Sequence, residues 1–423
     1  MRIRFYNAKI LTMEDKNIFD GELITNGKTI EYVGKAQDKE KLSSEKFDEV
    51  IDCEGNLLMP SLKNAHTHSA MTFFRSLADN LPLDEWLNTK IFPVEAKFNG
   101  EHIYWFSKLA VAEYLRNGVT AAFDMYFFRD DTNRLSDETG FRFTYVSGAN
   151  DYGGFESIEE DLQRMNSYSD LIRFRVGFHA EYTTSRPLME KISALANKYK
   201  TPVFAHNSET IKEVMGCKER YGMTPTQIMD ELGMFEYGGG GFHCVHFDDK
   251  DYEIFKKRDL LAVFNPCSNL KLSSGIADVK RFIDEGINIS VGTDGAGSNN
   301  SLNIFRDMYL ACVLPNVRGE GNANIDPYEI LKGVTSKGSS YMALENARYL
   351  KAGQLADIIM IDLKKPEMQP VNNIINNIVY SGSPDIVKMT MCNGKILYKD
   401  GEYKTIDKED TIKHCNKLAG ELK

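Results

Sequence analysis

Short apolar runs recur along the middle of the chain, and polar stretches of helical periodicity separate them. Eight runs rich in β-branched and aromatic residues cover Leu58–Lys63, Val119–Tyr126, Phe141–Ser147, Ile172–Phe178, Pro202–Ala205, Gly241–Val245, Leu261–Phe264 and Ile287–Val291. Each is strand-length and apolar on both faces, the pattern of a strand buried on both sides. Between them, Glu101–Asn117, Pro187–Tyr199, Pro225–Leu232, Asp251–Arg258 and Ile276–Glu285 carry apolar residues at helical spacing. Gly118, Gly233 and Gly286 stand where a helix-ending glycine belongs. Strands alternating with helices predict right-handed βαβ units and a parallel sheet. Eight such units predict an α/β fold, a (β/α)8 TIM barrel over residues 59–346.

The two ends differ from the middle. Residues 1–58 and 347–423 carry short strand-like pieces, with turn signals at Asn26-Gly27, Gly55-Asn56, Asn393-Gly394 and Asp400-Gly401. They predict a small composite β-sandwich, built from both termini and set beside the barrel.

Composition narrows the function classes. A chain of 423 residues accommodates a barrel with an appended domain, and 42% hydrophobic with 26% charged residues is ordinary for a globular protein. The net charge of −10 and the lack of a basic stripe argue against nucleic acid as a partner. No apolar run is long enough to span a bilayer, and Met1–Tyr6 lacks the core of a secretory signal, so a cytoplasmic protein without a membrane partner is expected. Seven scattered cysteines without a CxxC pair read as reduced, buried thiols.

Barrel enzymes place their chemistry where strands end, at the C-terminal face. Six of the eight histidines lie at or just after predicted strands: His66, His68, His179, His206, His243 and His246. Asp294 follows the last strand in Val291-Gly292-Thr293-Asp294-Gly295. In His66-Thr67-His68, two imidazoles two residues apart on an extended strand point the same way and can grip one side of a metal ion. His102, His414 and His246 read as packed or solvated histidines. His179-Ala180-Glu181 with Pro266-Cys267 imitates the small zinc nucleobase deaminases, but Leu270 stands where their second cysteine belongs.

His66-Thr67-His68-Ser69-Ala70-Met71-Thr72, His206-Asn207-Ser208-Glu209-Thr210, His243-Cys244-Val245-His246, Asn265-Pro266-Cys267-Ser268-Asn269-Leu270-Lys271-Leu272 and Thr293-Asp294-Gly295-Ala296-Gly297-Ser298-Asn299-Asn300 occur in that order. Together with Gly353–Asp362, they resemble the amidohydrolase superfamily over nearly the whole chain. Within it they are similar to the 5-methylthioadenosine/S-adenosylhomocysteine deaminases and their chlorohydrolase relatives, a branch that also includes cytosine deaminases. The resemblance implies one divalent metal ion, zinc first and iron or manganese as alternatives, held by His66, His68, His206 and Asp294. Asp294 would also take a proton from the attacking water, His243 would orient that water, and Glu209 would protonate a ring nitrogen of the substrate. It further implies that Trp86, Glu95, His179 and Glu209 line the substrate site.

The expected activity is hydrolytic deamination of an adenosine- or 5-methylthioadenosine-like nucleoside. Alternatives are dechlorination, nucleobase or pterin deamination and cyclic-amide hydrolysis, or an inactive hydrolase fold that only binds. Ile172–Phe178 contains no lysine to bridge two metals, which argues against a dihydropyrimidinase-like site. Relatives that accept S-adenosylhomocysteine carry arginines near the loop after the third strand, and residues 145–155 contain none. The partner implied is a small-molecule substrate; a homo-oligomer stays open.

Overall fold

Ser61 is the point at which the chain leaves one sheet and enters another. The computed structural model describes residues 1–37, 45–77, 79–319 and 324–422. Before Ser61 come β1 (Arg2–Leu11), β2 (Ile18–Asn26), β3 (Thr29–Gly34), β4 (Glu49–Asp52) and β5 (Leu57–Pro60). After it, β6 (Leu62–Thr67) opens the barrel. The apolar run expected to be one strand, Leu58–Lys63, is therefore divided between two sheets. Hydrophobicity leaves no mark at the division, because every residue from Leu57 to Thr67 is buried.

The barrel continues with β7 (Val119–Asp124), β8 (Arg142–Val146), β9 (Ile172–Ala180), β10 (Val203–Asn207), β11 (Gly239–His243), β12 (Leu261–Phe264) and β13 (Asn288–Val291). The eight strands follow one another around the sheet in chain order, each parallel to the next. Between β13 and β6, the Asn64 amide donates to Thr293 Oγ1 (2.7 Å) and accepts from the Thr293 N–H (3.0 Å). The expected (β/α)8 barrel is present, and its helices include Gly100–Arg116, Arg186–Tyr199 and Asp249–Lys257.

The C-terminal segment adds β14 (Ile358–Ile361), β15 (Val387–Cys392), β16 (Lys395–Lys399) and β17 (Glu402–Tyr403) to the strands of the N-terminus, making one mixed sheet. Asn393-Gly394 and Asp400-Gly401 turn its hairpins with positive φ at both residues of each pair, as two-residue hairpin turns require. β14 lies antiparallel to β5, with Leu58 opposite Met360. A buried charge cluster joins this sheet to the barrel: Arg142 Nη1 lies 3.0 Å from Asp357 Oδ2, and Lys63 Nζ donates to Ser61 Oγ at 2.6 Å and lies 4.0 Å from Asp357. Burial pushes the Lys63 ammonium down to about 8, against the pull of Asp357.

The C-terminal helix Lys408–Leu422 packs on Gly100–Arg116, where the His414 ring stacks on Trp105 at 3.9 Å. His102 caps the start of Gly100–Arg116, its Nδ1 accepting from the Asn99 N–H.

Candidate active site

β6, β9 and β10 run further toward the C-terminal face than their apolar runs suggest, so His66, His179 and His206 lie within them, while β11 ends at His243, short of the expected Val245. Inside a barrel, an inward-facing histidine continues the backbone pairing of the apolar residues before it. The His66 ring is fully buried and stacks on Phe242 of β11, with centroids 4.0 Å apart. Neither of its ring nitrogens has a hydrogen-bond partner among the described residues. A buried imidazole without partners is costly unless something else satisfies it.

Around His66 the other rings are oriented from behind. His68 Nδ1 donates to the Met125 carbonyl (2.7 Å) and His206 Nδ1 to the His179 carbonyl (2.6 Å), which leaves each Nε2 facing the site. Those two Nε2 atoms lie 3.4 Å apart. Asp294 Oδ1 lies 3.5 Å from His66 Nε2 and 3.3 Å from His68 Nε2. Donor atoms of His66, His68 and Asp294 lie within 4.8 Å of one another, and so do those of His66, His206 and His243. This convergence of nitrogen and carboxylate donors on an orphaned buried imidazole fits a divalent ion.

Asp294 adopts a left-handed backbone (φ 58°), which aims its carboxylate back over the strand ends. Its Oδ2 accepts from the hydroxyls of Ser268 (2.6 Å) and Ser298 (2.7 Å). Burial alone would raise its pKa, but the His66 and His68 imidazoles beside it and the charge of His68 hold it well below the carboxylate range. Burial drives His66 down to about 3 and His179 to about 4, and His206 well below its ordinary value. His68 goes the other way, to about 9, because Asp294 outweighs its burial.

Glu209 and His243 form a second pair beside these rings. Burial raises the Glu209 carboxyl above its ordinary range; its Oε1 accepts from Ser274 Oγ (2.9 Å), and its Oε2 lies 3.7 Å from His243 Nε2. His243 Nδ1 donates to Asn269 Oδ1 at 3.0 Å, fixing the ring with Nε2 toward Glu209. His246 donates through Nε2 to the Ser274 carbonyl (2.7 Å), a structural role.

A cavity of about 1050 Å³ opens above this cluster. His68, His206, His243, Asp294 and Glu209 line its depth, and Trp86, Glu95 and His179 line its walls, with His66 absent from the lining. All nine residues singled out in the sequence thus gather in one region. Trp86 is buried with its Nε1 unpartnered, and a Cβ on Gly297 would stand 3.1 Å from its ring. Glu95 accepts a hydrogen bond from the Tyr126 hydroxyl, and burial raises its carboxyl. His179 Nδ1 pairs with Thr183 Oγ1 at 2.9 Å.

Several further residues support the site without a signature in the sequence. Ser268, Asn269 and Ser298 stand in the segments after β12 and β13, and their residue types alone do not reveal their partners Asp294 and His243. Phe242 and Tyr126 read only as strand residues. Arg129, at the start of the helix Arg129–Thr139 that follows β7, also lines the cavity, although residues 145–155 have no arginine. Its Nη1 is bound to Asp161 at 2.8 Å, a carboxylate shared with Arg164 at 3.2 Å. Cys267 lies outside the ligand cluster, its Sγ accepting from Arg306 Nε at 3.1 Å.

Comparison with known proteins follows the same lines. The model of a family described as the amidohydrolase family matches residues 57–397. A 5-methylthioadenosine/S-adenosylhomocysteine deaminase of Caldanaerobacter subterraneus subsp. tengcongensis is 35% identical, over 100% of this chain and 99% of its own. A 5'-deoxyadenosine deaminase of Methanothermobacter thermautotrophicus is 36% identical over 90% of this chain and 91% of its own. The crystal structure of an adenosine deaminase from Xanthomonas campestris with bound zinc superposes with a TM-score of 0.93 at 25% identity, covering 100% of this chain and 98% of that one.

Proposed function

The chain belongs to the amidohydrolase family, and from that premise we propose that it hydrolytically deaminates an adenosine-like nucleoside such as 5-methylthioadenosine, releasing ammonia. The observation that carries this reading is Glu209, a buried carboxyl raised above its ordinary range and 3.7 Å from His243, lining the same cavity as the histidine and Asp294 cluster. A proton donor beside a divalent-ion site is what expulsion of an exocyclic amine requires.

His66, His68, His206 and Asp294 would hold one divalent ion, which we assign as zinc, with iron or manganese as the alternatives to test. When bound, the ion lowers the pKa of water from about 15.7 to about 7 and so supplies a nucleophile at neutral pH. The chain's own groups do the rest. Asp294, whose carboxylate is oriented by the Ser268 and Ser298 hydroxyls on Oδ2, would take the water's proton. His243, held by Asn269, orients the attacking oxygen through Nε2. Glu209 protonates the ring nitrogen next to the carbon under attack. A carbon–oxygen bond forms, the proton taken by Asp294 passes to the exocyclic amine, the carbon–nitrogen bond breaks to release ammonia, and the remaining hydroxyl proton restores Glu209 while the ring nitrogen keeps the proton it received.

Glu95 would accept from ribose hydroxyls, Trp86 would pack against the sugar and its 5' substituent, and His179 would contact the substrate from β9. Arg129 is engaged by Asp161, which supports a substrate without an amino-acid tail. No helix among the described residues is long and apolar enough to cross a membrane. Seven free, buried cysteines suit a reducing compartment, and we place the protein in the cytoplasm.

The test is ammonia release by the metal-loaded protein from adenosine, 5-methylthioadenosine, 5'-deoxyadenosine, S-adenosylhomocysteine, cytosine, guanine and pterins. A neutral adenosine derivative is expected to lead by about tenfold or more in kcat/KM. Release from a nucleobase or pterin alone would overturn the substrate class, and S-adenosylhomocysteine leading the panel would overturn the exclusion of the charged tail.

A further inference from the structure

Glu213 lies in the first turn of the helix Ile211–Tyr221 and is buried. Its carboxylate accepts from three consecutive backbone N–H groups: Oε1 from Ser208 at 2.9 Å, and Oε2 from Glu209 at 2.8 Å and Thr210 at 3.5 Å. An N-terminal capping box needs only the last of these, together with Thr210 Oγ1 accepting from the Glu213 N–H at 3.1 Å. The other two bonds reach past the helix into the segment that carries Glu209.

That segment is under backbone strain. Ser208 is left-handed, with φ 53°, a conformation disfavoured for a residue with a Cβ. Its carbonyl accepts from the N–H groups of Val245 (3.2 Å) and His246 (2.9 Å), so the segment after β11 hangs from it. His243 and Cys244 are also left-handed, at φ 75° and 48°. One carboxylate thus holds the Glu209 segment directly and the His243 segment through Ser208.

We propose that Glu213 is a positioning residue for the deamination: its carboxylate fixes the Ser208–Glu209 backbone and thereby sets the spacing of Glu209 and His243. The role rests on the deaminase reading of Glu209. Glutamine at 213 offers one acceptor oxygen and turns an NH2 group toward N–H donors, and alanine removes all three bonds.

The test combines amide hydrogen exchange over residues 203–212 with steady-state kinetics, on the full metal-loaded chain. In Glu213→Ala, exchange at Ser208 and Glu209 is expected to rise by about tenfold or more. In Glu213→Ala and Glu213→Gln, kcat is expected to fall about 10- to 100-fold with KM within about threefold and metal content unchanged. Thr210→Ala removes only the helix-cap half of the box, so it lowers Tm but keeps kcat within about twofold. The proposal is overturned if both Glu213 variants keep kcat within about twofold of wild type, if exchange is unchanged, or if Thr210→Ala loses as much kcat as Glu213→Ala. Absence of ammonia release by the wild type would instead overturn the deaminase reading and with it the catalytic part of this role, while the exchange result still decides whether Glu213 holds the segment.

Discussion

Asp294 donates its backbone N–H to the carbonyl oxygen of His66 at 3.0 Å, while its Oδ1 lies 3.5 Å from the Nε2 of the same residue. The first and last strands of the barrel therefore meet through the two residues whose side chains also meet at the candidate ion site. Ion binding and closure of the barrel share one seam.

Removal of the ion is expected to lower Tm as well as abolish activity. A ligand that binds only the folded state contributes RT ln(1 + [L]/Kd), about 4 kcal/mol at 1,000 times Kd. Dialysis against a chelator, followed by calorimetry and zinc titration, checks this. An unchanged Tm after confirmed metal loss contradicts the shared seam.

Glu209→Gln is expected to keep its metal and lose about 100-fold or more in kcat, the range of a general acid. Elemental analysis beside the kinetics separates this from ion loss. A variant with most of its kcat would remove Glu209 from the mechanism.

Glu95 gives a substrate-specific prediction. Hydrogen bonds to a charged acceptor are worth about 1.5–3 kcal/mol, so Glu95→Gln should raise KM for adenosine by about tenfold or more. For 2',3'-dideoxyadenosine the same variant should change KM little. Equal losses on both substrates would show that Glu95 does not read the ribose.

Lys63 gives a pH dependence. Its ammonium is buried and lowered to about 8 from 10.5, so between these values the unfolded chain binds more protons than the folded one. Stability then rises with pH across that window; the cost of burying the charge is fully present below about 8 and is relieved toward 10.5. Compared with Lys63→Met, the wild type should gain up to a few kcal/mol from pH 8 to 10.5, by denaturant unfolding. A constant difference between the two proteins refutes it.

The barrel was legible because its strands are apolar on both faces and its helices are amphipathic, so each announces itself locally. Strand ends were less so. His179 and His206 looked like the first polar residues after a strand, whereas an inward-facing imidazole continues the pairing of the residues before it. The gathering of histidines and Asp294 at strand ends was legible from side-chain type and strand order, and the resemblance to the amidohydrolase superfamily singled out His66, His68, His206 and Asp294 among them. Their supports were not, since the reach of Ser268 and Ser298 to Asp294 depends on how adjacent strand ends are staggered. Arg129 follows Tyr126-Phe127-Phe128, and only the path of the loop brings it to the cavity wall. Glu213 did leave a trace, the Thr210-x-x-Glu213 spacing of a capping box, but nothing local told that its carboxylate also reaches Ser208 and Glu209.

The division at Ser61 has a consequence for how the protein is made. β5 pairs with β1, which precedes it, and on its other edge with β14, about three hundred residues later. While the chain emerges from the ribosome, β5 keeps one edge without its partner until Ile358–Ile361 has been synthesised. An open edge of that kind is a template for pairing between chains. Truncations that end before Ile358 are therefore expected to aggregate rather than to yield a smaller, working barrel.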